Sequence, residues 1–253
     1  MPKKIKPEKF LTTLVILFFF IAVVLVLFEL NSEGTLATLG QDLTNDTQDT
    51  VNTTDDAESN VGELFRGLCI VVDAGHGGFD SGAIGTFTGA KEADINLAVS
   101  KNLKGILESA GATVVMTRDT DEALGTTKDS DMQARGVIVC QGEVDFMLSI
   151  HMNKYVDSSV GGPQVFSYPG SEVSKELAEA LQDRLNELSE HKPRVAKEEN
   201  FYILRAGNSP AVLVECGFLS NEEDDELLST DSYQQEVART IFNGLKDFLE
   251  EQN

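Results

Sequence analysis

A chain of 253 residues, 41% of them hydrophobic, can bury one sizeable core and still carry appendages. Its formal net charge of -22 excludes nucleic acid as a partner, because affinity for phosphates needs clustered Lys and Arg. Cys69, Cys140 and Cys216 are too few and too odd in number for a disulfide framework; each lies in or beside an apolar run, as a buried free thiol would.

The first distinctive stretch runs from Phe10 to Phe28, 19 residues without a charge. At 1.5 Å per residue it nearly spans a hydrocarbon core of about 30 Å. Lys3, Lys4, Lys6 and Lys9 precede it, and Glu29 and Glu33 follow. That asymmetry places a basic segment, 1–9, in the cytoplasm and everything past residue 28 outside. The stretch reads as an uncleaved membrane anchor. A secretory signal peptide is the competing reading, but Glu29-Leu30-Asn31 follows where small residues would mark a cleavage site. Residues 29–66 are acidic, with almost no aromatics and no hydrophobic period, and read as a disordered tether.

A globular domain is expected over 67–253. Leu68 to Asp73 reads as a strand that breaks into the glycine-rich loop Gly75-His76-Gly77-Gly78. Glycine there lets something approach the backbone closely. Glu92 to Ala110 reads as a helix with Ile95, Val99, Leu103 and Ile106 on one face, ended at Gly111. Ala112 to Arg118 is a second strand. A helix over 129–141 follows, with Met132, Val137 and Cys140 as its apolar positions. Asp145 to His151 is a third strand and Gln164 to Tyr168 a short fourth. Val173, Leu177, Leu181, Leu185 and Leu188 predict an amphipathic helix over 171–189. Residues 190–200 form a charged loop whose His191 reads as a surface residue. Ala211 to Glu215 is a buried strand, and Val237, Ile241, Leu245 and Phe248 mark a last helix over 232–250. This alternation predicts an α/β domain with a mostly parallel twisted sheet and helices on both faces.

Three apolar strands thus end at or just before His76, His151 and Glu215, and the carboxyl ends of such strands are where α/β sheets bind ligands. Two histidines with carboxylates at one edge point to zinc, which in catalytic sites takes three protein ligands and leaves a position open. Spacing alone leaves Glu92, Asp73, Asp80 and Glu215 all open as the third ligand.

Four separate stretches carry a resemblance. They are Val71-Val72-Asp73-Ala74-Gly75-His76-Gly77-Gly78-Phe79-Asp80-Ser81-Gly82-Ala83; Lys91-Glu92; Ser149-Ile150-His151-Met152-Asn153; and Pro210-Ala211-Val212-Leu213-Val214-Glu215-Cys216-Gly217-Phe218-Leu219-Ser220-Asn221. In order and content they resemble the zinc-dependent N-acetylmuramoyl-L-alanine amidases of the amidase 3 class. These enzymes cut peptidoglycan between the lactyl group of N-acetylmuramic acid and L-alanine. The resemblance implies that His76, Glu92 and His151 bind Zn2+ and that Glu215 is the catalytic carboxylate. It also picks out Arg135 and Leu204-Arg205, and gives Asp73 and Asp80 the task of shaping the loop or orienting a ligand histidine.

An anchor, a tether and one catalytic domain further resemble the germination-specific amidases of endospore-formers, which act on spore cortex on the route to muramic δ-lactam. A vegetative or division amidase is the alternative within the family. A zinc peptidase and a non-catalytic peptidoglycan-binding module are the alternatives from other classes. The implied place is extracytoplasmic, at a membrane facing the wall or cortex. An acidic domain without a wall-binding module, facing an anionic wall, leaves a role for a protein activator.

Overall fold

The computed structural model describes residues 61–252. The expected basic segment, the anchor at 10–28 and the tether up to residue 60 lie outside the described residues. Among the described residues no helix is long and apolar enough to cross a membrane.

Order begins before residue 67. A helical turn at 61–65 delivers Phe65, fully buried, whose ring stacks on Phe242 at 4.8 Å. The last residues of the expected tether therefore belong to the core.

Strand β1, Cys69–Ala74, is a β-branched run buried on both faces, as a central strand of a parallel sheet requires. Helix α1, Glu92–Ser109, buries Ile95, Val99, Leu103 and Leu107. Gly111 follows it at φ 100, a left-handed turn that a side chain would strain, and the chain re-enters the sheet as β2, Thr113–Met116. Helix α2, Lys128–Val139, starts at a reciprocal cap between Thr127 and Ser130 and leads into β3, Phe146–Asn153. Strand β4, Gln164–Ser167, precedes α3, Glu172–Leu188, and the two-residue strand β5, Lys197–Glu198. A 3-10 turn at Ile203–Arg205 leads to β6, Ala211–Phe218. Two helices close the chain: α4, Glu222–Leu228, which periodicity did not predict, and α5, Asp231–Glu251.

The sheet runs β2-β1-β3-β6-β4-β5. Strands β2, β1, β3 and β6 are parallel, while β4 pairs antiparallel with β6 and carries β5 along with it. The sheet is therefore mostly parallel, as the alternation predicts, and the antiparallel β4–β6 pairing makes it mixed. Helices cover both faces. Ile70, Val72, Leu148, Ile150, Val212 and Val214 point into the larger cluster, beneath α1, α3 and α5. Val71, Met147 and Leu213 point the other way, into a smaller cluster with Val139 of α2 and Ile203 and Leu204 of the 3-10 turn.

Helix α2 corrects a sequence expectation. Met132 and Val137, read as its apolar face, are exposed, and the buried positions include Asp131, Arg135, Gly136 and Val139. The helix turns a polar stripe inward because the smaller sheet face becomes polar toward the strand ends: Asp73, Ser149, His151 and Glu215 continue the rows begun by Val71, Met147 and Leu213.

Candidate metal centre and active-site cleft

The chain leaves β1 for β2 on one side and later returns to β3 on the other. That reversal makes the carboxyl ends of β1 and β3 a topological switch point, where the outgoing connections part and leave a crevice. His76 follows β1 and His151 lies near the end of β3.

His76 takes φ 61, the sole non-glycine residue at positive φ among the described residues. A left-handed histidine costs backbone energy, so the surrounding bonds must hold it there. Its Nδ1 lies 2.9 Å from Asp80 Oδ2, and its Nε2 lies 3.1 Å from Glu92 Oε1. Asp80 thus fixes one ring nitrogen and leaves the other for the site, the orienting role expected of it. Lys128 Nζ reaches the second Asp80 oxygen at 3.0 Å.

Glu92 opens α1, where the helix dipole favours a carboxylate. Its Oε1 lies 3.0 Å from His151 Nδ1 and accepts the Met152 N–H at 3.1 Å; its Oε2 accepts the Ala83 N–H at 2.7 Å. The Met152 donor is free for this because it points toward β1, whose pairing with β3 ends at Ala74 and Ile150. Burial works against the Glu92 charge, but the hydrogen bonds and charges of His151 and His76 outweigh it and hold the carboxyl far below the ordinary range. His76 responds in the opposite sense. Burial disfavours its cation, and Glu92 and Asp80 outweigh that and raise its pKa.

The donor atoms of His76, Glu92 and His151 lie within 4.8 Å of one another. Two imidazoles and a carboxylate at a strand end are a donor set that suits zinc. Two glycines make room for it. A Cβ on Gly75 would meet the His151 ring at 2.3 Å, and one on Gly82 would meet Glu92 Oε2 at 2.5 Å. What approaches the glycine-rich loop is therefore the second histidine.

Glu215 stands directly opposite His151 in the β3–β6 ladder, so the two side chains share one face of the sheet. Glu215 Oε2 is buried with no hydrogen-bond partner among the described residues. Both residues line a cleft of about 310 Å³ whose apolar wall is Phe79, Met132, Phe201 and Tyr202.

Beneath these three donor residues lies a buried charge network that the sequence only hinted at. Arg135 is 2% exposed. Its Nη1 donates to Asp73 Oδ1 and to the Ala74 carbonyl, both at 2.7 Å, its Nε donates to Asp131 Oδ2 at 2.7 Å, and its Nη2 donates to the His76 carbonyl. Asp73 also accepts from Thr117 and Ser149. It makes no hydrogen bond to either histidine, so its part is to anchor Arg135.

Residues 70–247 match the Amidase_3 family, N-acetylmuramoyl-L-alanine amidase. The chain belongs to that family.

The germination-specific N-acetylmuramoyl-L-alanine amidase of Bacillus subtilis is 33% identical over 196 residues, covering 74% of this chain and 82% of that protein. The uncharacterized protein YqiI of the same organism is 36% identical over 191 residues, covering 75% and 88%. Among solved structures, the CwlD amidase of Clostridioides difficile, in complex with the GerS lipoprotein, superposes with a TM-score of 0.70 at 33% identity; the match covers 73% of this chain and 99% of that one. The chain is thus an N-acetylmuramoyl-L-alanine amidase.

In this amidase His76, His151 and Glu215 line one cleft, and Glu92 is buried against the two histidines. Burial pushes the Glu215 carboxyl up to about 7; the nearby Glu92 charge adds to the rise, and His151 and His76 oppose it. Arg205 stays exposed, with its guanidinium over the Tyr202 ring at 5.5 Å. His191 departs from the reading as a surface residue. It lies 2.9 Å from buried Asp224, and its ring packs so closely on Gly161 that a Cβ there would meet it at 2.4 Å. Among the cysteines, all three are free, but Cys140 is exposed rather than buried. Arg118, which sequence reading passed over as a strand end, is buried at the site; a cation closing the run Val114-Val115-Met116-Thr117 was the available signal.

Proposed function

We propose that this amidase is a zinc enzyme cleaving the bond between the lactyl carbonyl of N-acetylmuramic acid and the L-alanine nitrogen, with His76, Glu92 and His151 as ligands and Glu215 as the proton carrier. The observation that carries the reading is the convergence of those three donors beside an unpartnered carboxylate oxygen. Bound zinc would supply Lewis acidity, lowering the pKa of water to about 7 and polarising the carbonyl.

The remaining chemistry belongs to the chain. Glu215, as a carboxylate, accepts a proton from the attacking water. It then gives that proton to the departing L-alanine nitrogen, so the hydroxyl ends on the lactyl acid and the hydrogen on the amine. A carboxyl that titrates near neutrality is matched to both halves of that task. Asp80 keeps His76 in the tautomer whose Nε2 faces the site. The apolar wall of Phe79, Met132 and Tyr202 offers surface to the substrate at the cleft mouth. The decisive experiment is Glu215→Gln assayed for release of new amines from muropeptides, with zinc measured on the same sample.

We further propose the spore cortex as substrate, on the route to muramic δ-lactam, with residues 10–28 anchoring the protein at a membrane and a protein partner assisting it. The support is the germination-specific relative and the solved complex of the CwlD amidase with a lipoprotein. Muropeptides from spores of a deletion strain test this. Loss of δ-lactam is expected; unchanged δ-lactam would reassign the enzyme to vegetative wall.

A further inference from the structure

We propose that Arg118 is a positioning residue that sets the separation of His76 and Glu92 by tying together the main chain beside each. The inference rests on the reading that those residues bind zinc.

Arg118 lies just past β2 and is 4% exposed. A single nitrogen, Nη2, donates to the Gly75 carbonyl at 2.9 Å and to the Ala93 carbonyl at 2.8 Å. Gly75 immediately precedes His76, and Ala93 immediately follows Glu92. The guanidinium therefore bridges the loop that carries one ligand and the helix start that carries another. Its Nε donates to the Ala74 carbonyl at 2.8 Å and its Nη1 to the Thr120 carbonyl at 2.9 Å, which fixes the plane of the group.

Every one of these acceptors is a neutral carbonyl, and none of the ion pairs among the described residues includes Arg118. Burial and the Arg135 charge work against this cation, and the nearby Asp73, Asp121 and Asp131 charges offset them only in part, so a long apolar side chain would fill the same volume at lower cost. The guanidinium earns its place through geometry. Its planar fork addresses several carbonyls at fixed angles, which the point charge of lysine does not. The carbonyls also need holding. His76 is strained at positive φ, and with Arg135 on the His76 carbonyl the two arginines secure three successive carbonyls, 74 to 76. Asn96 of α1 adds a second bridge, with its Nδ2 3.1 Å from the Gly75 carbonyl and 3.5 Å from Glu92 Oε1.

The test compares Arg118→Lys, Asn96→Ala and Leu185→Ala in the full-length protein. Leu185 is a buried residue of α3 in the larger core cluster, and its truncation reports on lost stability alone. Zinc affinity is read by competition with a chromophoric chelator, site geometry by the visible spectrum of the cobalt-substituted protein, and stability by thermal melting. Arg118→Lys is expected to weaken zinc binding by about 10- to 100-fold and to shift the cobalt spectrum. Asn96→Ala is expected to move both readouts the same way but less. Leu185→Ala is expected to lower Tm and leave both untouched. Wild-type zinc affinity in Arg118→Lys would overturn the proposal, as would an equal loss in Leu185→Ala at matched Tm. Should Arg118→Lys not fold, unchanged affinity in Asn96→Ala overturns it. The wild-type titration comes first: no zinc binding there would sink the zinc reading itself, whereas normal wild-type binding with unaffected variants sinks only the role of Arg118.

Discussion

His151 and Glu215 face each other across the β3–β6 ladder as direct register partners. One strand pair therefore holds a proposed metal-ligand histidine and the carboxylate proposed to move the proton, at a spacing set by the main chain. Replacing Glu215 by Gln keeps the size of the side chain and removes its basicity. The variant is expected to bind one zinc per chain and to lose about 10²- to 10⁴-fold in turnover. Amine release near the wild-type rate would show that the proton travels by another group.

Gly75 is fixed by the ring packed on it. A Cβ there would meet His151 Cε1 and Nε2 at 2.3 Å, so Gly75→Ala must push the imidazole away from Glu92. The strain of such overpacking is about 1–3 kcal/mol. Substoichiometric zinc by elemental analysis, at a Tm only modestly lowered, is the expected result; full zinc content would mean that the ring has somewhere else to go.

Asp80 acts through His76. Its Oδ2 lies 2.9 Å from Nδ1, and Lys128 holds its other oxygen. Asp80→Asn keeps the shape but frees the ring to change tautomer. Zinc affinity should fall by about 10- to 100-fold, with little change in Tm because the pair is partly exposed. An unchanged dissociation constant would rule out an orienting role.

Asp73 governs acid stability. Burial alone would raise its pKa, but Arg135, Ser149, His151 and Thr117 outweigh that and hold it below the ordinary value. A depressed folded pKa stabilises the protein above the unfolded value of about 3.9, and that stability is lost as pH falls through the folded pKa. Removing one partner of a buried pair costs about 3–5 kcal/mol. Asp73→Asn should therefore be much less stable than wild type at pH 7, with the gap narrowing below about pH 4. Urea unfolding of both proteins at each pH decides the matter, and a constant gap would remove Asp73 from the acid-sensitive set.

The departures between sequence and structure have one physical origin. Helix α3 was legible because Leu177, Leu181 and Leu185 repeat at the helical period and all point into one core. Helix α2 lies where periodicity places it, but its buried face differs because Arg135 and Asp131, polar by composition, are among its buried residues. The two pair with each other across one helical turn, but Arg135 also binds Asp73, 62 positions earlier, and no local period announces that pairing. His191 was misread for the same reason, since Asp224 is 33 positions away. The antiparallel turn of β4 was equally hidden, because a short strand buried on both faces has the same pattern in either direction.

By itself the sequence determined the chemistry available: the amidase motifs, the residue types His76, Glu92, His151 and Glu215, and apolar strands that lead to the first, third and fourth of them. These are local signals, carried by runs of a few residues. Only the tertiary structure decided how the groups meet: His151 against Gly75, Glu92 between two imidazoles, and Arg118 and Arg135 fastening the carbonyls of residues 74 to 76. Those contacts join residues tens of positions apart, and they are fixed by strand order and register, which periodicity within one segment does not encode.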